Sequence, residues 1–231
     1  MKKISHLCML LLLLCTTFFV LNVNVTREIV RIQEMGKTTY SFDLYLKDVT
    51  KPTETILQFF EEVASQDEVS IIKVDNGDEA VKAGVFNKET FPYQEFGLTS
   101  LDFSKNEKGV YSNQDLPNNL GTIPTFLKVK LIRLQTFQSY IEDKSYTVNG
   151  RYMITSSKEI DRDTILQKWS DFFQIDKTIL LEPTYRSQVG VLNQELLLSI
   201  IIFILAILLV ILMTVYQPMM EMKRVGVQKL L

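Results

Sequence analysis

The sequence predicts an α+β extracytoplasmic domain, built as a split βαβ lobe with an inserted β-rich lobe, between two transmembrane helices. Three observations lead to this fold class. Apolar runs lie near both ends of the 231-residue chain, the charged residues are concentrated between them, and strand–helix–strand patterns occur at both ends of that charged region. We therefore expect a transmembrane helix over 1–25, the domain over 26–194, a second transmembrane helix over 195–217 and a cytoplasmic segment over 218–231.

The first apolar run extends from Ile4 to Leu21 and follows Lys2 and Lys3. A cleavable signal peptide would end in small residues in an A-x-A-like pattern, and the residues after this run do not provide them. We therefore predict an uncleaved signal anchor, with a cleaved signal peptide as the alternative. Lipid attachment at Cys15 is disfavoured because the bulky Leu14 precedes it.

The second apolar run extends from Leu196 to Tyr216 and would form a helix of about 31 Å, the thickness of the bilayer's hydrocarbon layer. Basic residues flank the outer ends of the two runs, and such residues are retained on the cytoplasmic side. They are Lys2, Lys3, Lys223, Arg224 and Lys229. Both termini are therefore predicted to be cytoplasmic. A secreted precursor with a single C-terminal anchor is a further alternative.

The region between the apolar runs is acidic, because residues 26–195 contain 26 of the 27 acidic residues and 20 of the 25 basic ones, a local net charge of −6. An acidic surface argues against nucleic-acid binding, which needs basic residues to neutralise phosphates. Both cysteines, Cys8 and Cys15, lie in the first apolar run. A disulfide framework therefore cannot hold the domain together, and we expect an ordinary hydrophobic core.

The domain is predicted to begin with a strand–helix–strand unit. Thr39–Leu46 alternates apolar and polar residues as a half-buried strand does, and Val69–Val74 again has strand character. Between them, residues 53–66 carry an apolar stripe at helical spacing, with Thr50 as the expected cap and Pro52 in the first turn. The stripe consists of Ile56, Leu57, Phe59, Phe60, Val63 and Ala64.

A second such unit is predicted at the other end of the domain. Tyr146–Thr155 has a strand pattern interrupted by an Asn-Gly pair suited to a turn or a bulge. Asp161 and Asp163 favour a helix start, and Ile179–Leu181 is expected to form a short closing strand. The helix's apolar stripe is Ile165, Leu166, Trp169, Phe172 and Phe173. With both helices on one sheet face, the two units would form a split βαβ arrangement.

The region between the two units is rich in turn residues, and its apolar runs Val81–Phe86 and Phe126–Leu134 predict further strands. The acidic stretch 75–79 concentrates possible calcium ligands, but it lacks EF-hand spacing and its Asn-Gly pair favours a hairpin turn. Trp169 is expected to pack in the core.

The sequence contains no motif for catalysis or for a cofactor. The single histidine, His6, lies in the first apolar run and has no partner at metal-ligand spacing. P-loop, GxSxG and HExxH motifs are missing. Neither apolar run contains a charged residue, which disfavours an ion pathway through these helices alone. We therefore expect a protein that is not an enzyme and needs no cofactor or metal.

The segment after the second span, residues 217–231, reads QPMMEMKRVGVQKLL. It resembles the cytoplasmic segment after the second span of MacB/FtsX-type ABC transporter permeases, in which charged residues precede a Gly-Val or Gly-Ile step. The order of basic start, span, external domain and span is similar to that family over essentially the whole chain. The acidic, cysteine-free domain looks most like the Gram-positive bacteriocin-associated integral membrane proteins.

The resemblance implies a permease-like component that couples a separate ABC ATPase to an external domain acting on bacteriocins or other antimicrobial peptides, in export or immunity. The implied ATPase contact is formed by Lys223, Arg224, Val225, Gly226, Val227 and Leu230. Family members usually have an acidic residue where this chain has Arg224. Further permease helices or a second copy of the chain would complete the assembly, the chain being a two-span subunit or the N-terminal portion of a longer permease.

Two other interpretations stay open. The chain could be a two-span surface receptor or scaffold whose external domain binds a ligand without any ATPase. The basic tail could also bind only anionic lipid headgroups, as basic segments next to membrane spans do.

Overall fold

The computed structural model describes residues 2–76, 79–103, 108–125, 130–142, 147–183, 200–208 and 210–212. The chain divides into two units. One comprises Met1–Arg27 with Gln188–Leu231, and the other is Glu28–Ser187.

Helix α1, Lys2–Glu34, is the main element of the first unit, and its last turns belong to the second. Within it, Leu12–Glu34 is long and apolar enough to cross a membrane, judged by length and composition. Large apolar side chains of its N-terminal part are exposed, as a lipid-facing surface requires. They include Leu10, Leu13, Leu14, Phe18, Val20 and Leu21. The helix extends nine residues beyond the end predicted at residue 25.

The described part of the predicted second span, 200–208 and 210–212, is helical. Phe203 in this segment stacks on Phe19 of α1, with ring centroids 4.9 Å apart. The rest of the predicted span lies outside the described residues.

The second unit is α+β, as predicted, and its strands form one mixed sheet. In chain order the strands are β1 Phe42–Leu46, β2 Ser70–Asp75, β3 Ala80–Val85, β4 Val110–Ser112, β5 Asn119–Thr122, β6 Ile132–Thr136 and β7 Gly150–Thr155. Their order across the sheet is β1-β7-β2-β3-β6-β4-β5. β7 is antiparallel to both β1 and β2, which are therefore parallel to each other. The strands between the two predicted units continue the same sheet from β2 outward.

Helices α2, Thr53–Gln66, and α4, Arg162–Phe173, cover one face of this sheet. Their buried stripes meet apolar residues of β1, β2 and β7, and Trp169 is fully buried at the centre, as predicted. Asp161 caps α4 by accepting hydrogen bonds from the backbone N–H groups of Asp163 and Thr164. The short helices α3, Phe137–Ile141, and α5, Lys177–Leu181, complete this layer.

The opposite face of the sheet is covered by the end of α1 and by the chain around a 3-10 turn at Tyr93–Phe96. Its core residues are Ile32, Met35, Ile72, Val74, Ala80, Phe91, Phe96, Leu98, Tyr111, Ile123, Ile132, Leu134 and Met153.

Two local predictions were wrong. The expected strand Ile179–Leu181 is part of α5, because Asp176 accepts a 2.8 Å hydrogen bond from the backbone N–H of Thr178 and starts a helical turn that buries Leu180. Thr50 does not cap α2; the N-cap position is Pro52, and no side chain bonds to it there. Residues 77–78, 126–129 and 146, on which three predicted segments partly fall, lie outside the described residues.

Candidate functional site at the end of helix α1

The last turn of α1 is attached to the sheet by buried apolar side chains. Ile32 and Met35 are 1% and 3% exposed and pack in the core of that face. Gly36 ends the helix with φ +90°, and a Cβ there would lie 2.6 Å from the buried ring of Phe96. A glycine is required at this position because the backbone is both left-handed and in close contact with Phe96.

Lys82 of β3 reaches the same helix end with its side-chain amine. Its Nζ donates to the carbonyl oxygens of Gln33, at 3.0 Å, and Met35, at 2.8 Å. The carbonyls of a last helical turn have no partners within the helix and carry the negative end of its dipole. The side chain of Lys82, on strand β3, therefore caps the C-terminal end of α1. None of this residue is exposed.

Burial lowers the pKa of Lys82 to about 7, and the positive charge of Arg151 acts in the same direction. Glu34 and Asp43 oppose this effect, and Lys37 adds to it. The buried amine can therefore gain or lose its proton near neutral pH, unlike an exposed lysine.

A network of charged side chains surrounds this helix end. Arg151 of β7 binds Asp43 of β1 through two parallel hydrogen bonds of 2.9 and 3.0 Å, and lies 3.6 Å from Glu34. Lys37 pairs with Glu34 at 2.7 Å. Burial disfavours the charged form of Arg151. The hydrogen bond from Arg151 to Asp43 and the negative charge of Asp43 outweigh this effect and raise the pKa of Arg151. The bidentate pair joins β7 to β1, and the contact of Arg151 with Glu34 links the helix end to these two strands.

Hydroxyl groups connect the chain after α1 to the end of β7. Thr155 donates to the carbonyl of Gly36 at 2.8 Å, and Thr38 donates to the carbonyl of Ser156 at 2.7 Å. Ser41 donates to Thr155 at 2.7 Å. Arg31, in the last turn of α1, donates to the carbonyl of Pro124 at 2.9 Å. The end of α1 is thus bonded to β3, β7 and the connection before β6.

An open groove of about 340 Å³ lies elsewhere in the same unit, where β3 and β6 reach α2 and α3. Most of its lining is apolar, and Glu61 and Lys88 bring one charge of each sign. The apolar and aromatic lining residues are Leu57, Val85, Phe86, Leu101, Phe103 and Phe137.

The residues predicted for the ATPase contact lie outside the described residues. They are Lys223, Arg224, Val225, Gly226, Val227 and Leu230. Sequence reasoning missed the α1 junction. A signal was present, because Lys82 interrupts the run Val81–Phe86, which was itself predicted to be a strand, and a lysine in a buried strand needs a specific partner.

No family model, curated protein or solved structure gives a significant match to the chain.

Proposed function

We propose that the chain is a non-enzymatic, permease-like membrane component of an ABC transporter that handles bacteriocins or other antimicrobial peptides, in export or immunity. A separate ATPase would bind residues 218–231, and the α+β domain would act on the peptide. The observation that carries this proposal is the attachment of α1 to the sheet: the helix that is long enough to span a membrane ends in a buried, hydrogen-bonded junction with the domain.

Such a junction suits mechanical coupling. A rigid helix passes displacement along its axis, and its end is bonded to strands β3 and β7 through Lys82, Thr155 and the Glu34–Arg151 pair. A flexible linker between span and domain would absorb the same displacement. In this proposed function, the α1 junction transmits force to the domain, and ATP is hydrolysed by the separate ATPase.

The proposed topology has both termini in the cytoplasm and residues 26–194 outside, with spans over 1–25 and 195–217. The helical segments 200–208 and 210–212, and the Phe203–Phe19 stack, support a pair of packed spans. In the domain, β1, α2, β2, β7 and α4 correspond to the proposed split βαβ lobe, and the strands from β3 to β6 to the proposed insertion. A cleaved signal peptide remains the competing interpretation of the first apolar run.

Co-purification with an ABC ATPase subunit encoded beside this chain tests the function. Deleting residues 218–231, or reversing Lys223, Arg224 and Lys229 to Glu, is expected to abolish co-purification. The matched control reverses Lys108, Lys158 and Arg162, three exposed basic residues of the domain, and should leave co-purification intact. Unchanged association after the deletion would show that the coupling segment has been assigned wrongly.

One observation favours the receptor alternative, namely the apolar groove of about 340 Å³. A receptor would bind its ligand equally well with a charge-reversed tail and would not co-purify with an ATPase. Binding of fluorescent antimicrobial peptides to the full chain can be compared between Leu57→Glu, inside the groove, and Gln58→Glu, on the exposed side of α2. A selective loss with Leu57→Glu, together with no ATPase association, would favour the receptor.

A further inference from the structure

We propose that Lys82 is a proton-controlled latch, which holds the end of α1 on the sheet when its amine is neutral and loosens that attachment when it is protonated. This inference goes beyond the proposed transport function and depends only on contacts inside Glu28–Ser187.

The geometry couples the protonation of the Lys82 amine to its contact with the end of α1. Lys82 bonds to Gln33 and Met35, both at the helix end, so releasing that end exposes its Nζ to water. A neutral amine has two N–H donors, which is the number of carbonyls it meets here. An ammonium group brings a charge into a fully buried site, and burying a charge is costly unless that charge is well paired.

The surrounding charges do not cancel that cost. Glu34 at the end of α1 and Asp43 of β1 favour the ammonium form, while Arg151 of β7 and Lys37 after α1 oppose it. Both carboxylates already have basic partners, Arg151 for Asp43 and Lys37 for Glu34. The neighbours of Lys82 in register on β2 and β6 are Val74 and Leu134, which are uncharged.

The direction of the effect follows from linkage. In the released state the amine has the ordinary lysine pKa near 10.5, and in the attached state its pKa is about 7. The released state therefore binds more protons between these values, and attachment strengthens as pH rises above 7. Between pH 6.5 and 8.5 the ratio of attached to released helix end should rise by roughly twentyfold.

Hydrogen exchange of the full chain in lipid nanodiscs tests the latch. Protection factors are measured at pH 6.5 and 8.5 and corrected for intrinsic exchange, for peptides covering residues 28–35 and for α4. We expect lower protection at 28–35 than in α4, and a rise of at least tenfold with pH. Equal protection of both regions at each pH would mean that the helix end opens only with the whole domain, and would overturn the proposal.

Three variants give independent readings. Lys82→Met should abolish the rise at 28–35, and Lys82→Arg, which stays charged, should keep protection low at both pH values. Lys73→Met is the matched control, because Lys73 is also a buried lysine, on the neighbouring strand, but bonds to the carbonyl of Asn149 and not to α1. The latch is wrong if Lys82→Arg retains the rise or if Lys73→Met removes it.

Discussion

Lys82 and Lys73 occupy adjacent strands of the sheet and bury their side-chain amines against different elements. Lys82 meets the end of α1, whereas Lys73 donates to the carbonyl of Asn149 at 2.9 Å and lies over the ring of Tyr152. Burial lowers the pKa of Lys82 to about 7 and that of Lys73 to about 8. Both values lie far below the ordinary lysine value of 10.5.

These two lysines predict that the domain becomes more stable as pH rises above neutrality. Each has a folded pKa below its unfolded value, so the unfolded chain binds more protons from pH 7 or 8 up to about 10.5. Between pH 7 and 9 the unfolding free energy should increase by about 2 to 3 kcal/mol from Lys82 and by about 1 kcal/mol from Lys73. Urea unfolding in detergent at several pH values measures it. In Lys82→Met the rise should begin about one pH unit later, and a rise unaffected in both single Met variants would contradict the assignment.

Gly36→Ala should destabilise the junction. The new methyl would meet Phe96, which cannot move away because it is fully buried and stacks on Phe91, and φ +90° is unfavourable for alanine. We expect a loss of about 1 to 3 kcal/mol in urea unfolding. Thr39→Ala, at an exposed position shortly after Gly36, is the control and should change stability by less than about 0.5 kcal/mol. Similar stability of the two variants would rule out a steric role for Gly36.

At the scale of single elements, α2 and α4 are joined by an aromatic cluster around Trp169. Its indole ring stacks on Phe60 at 5.1 Å and meets Tyr152 edge-on at 5.6 Å. Within the described part of the chain, its Nε1–H has no hydrogen-bond acceptor. The ring therefore stabilises the layer through burial, and its polar atom contributes nothing favourable.

Two substitutions separate these contributions. Trp169→Ala should cost about 3 to 5 kcal/mol because it leaves a large cavity between helices and sheet. Trp169→Phe should cost less than about 2 kcal/mol, since it keeps most of the ring and removes a donor without a partner. Urea unfolding followed by far-ultraviolet circular dichroism measures both, with Asp171→Ala on the exposed side of α4 as the control. If Trp169→Phe cost as much as Trp169→Ala, the indole N–H would have a role that its surroundings do not explain.

The two long helices of the domain could be predicted from the sequence, and so could the six-residue strands β2 and β3, but the short helix α5 could not. The stripes of α2 and α4 are repeated over several turns, so hydrophobic spacing alone places them. Ile179–Leu181 is too short for periodicity to distinguish a strand from a helix. The segment is helical because Asp176 caps the helical turn that contains it. The Lys82 contact joins residues far apart in sequence, and no local pattern encodes which carbonyls a buried amine will meet.

On the scale of the whole molecule, α1 belongs to both units, and this was only partly foreseen. The sequence predicted a transmembrane helix over 1–25. In the structure α1 continues to Glu34, where Ile32 in its last turn and Met35 directly after it are buried against the sheet. Tertiary packing, which hydropathy does not report, therefore set the helix end.

The proposed topology predicts which parts of the chain are accessible from outside the cell. In a Cys8→Ser/Cys15→Ser background, a membrane-impermeant maleimide should label Gln138→Cys, an exposed position of the domain, in intact cells. A cysteine added directly after Met1, and Gln228→Cys, should be labelled only after permeabilisation, because basic residues near both ends hold them on the cytoplasmic side. Labelling of Gln228→Cys in intact cells would show that the second span has the opposite orientation. Loss of the peptide with the added N-terminal cysteine from the mature chain in mass spectrometry would instead identify a cleaved signal, leaving α1 unable to transmit motion to the domain.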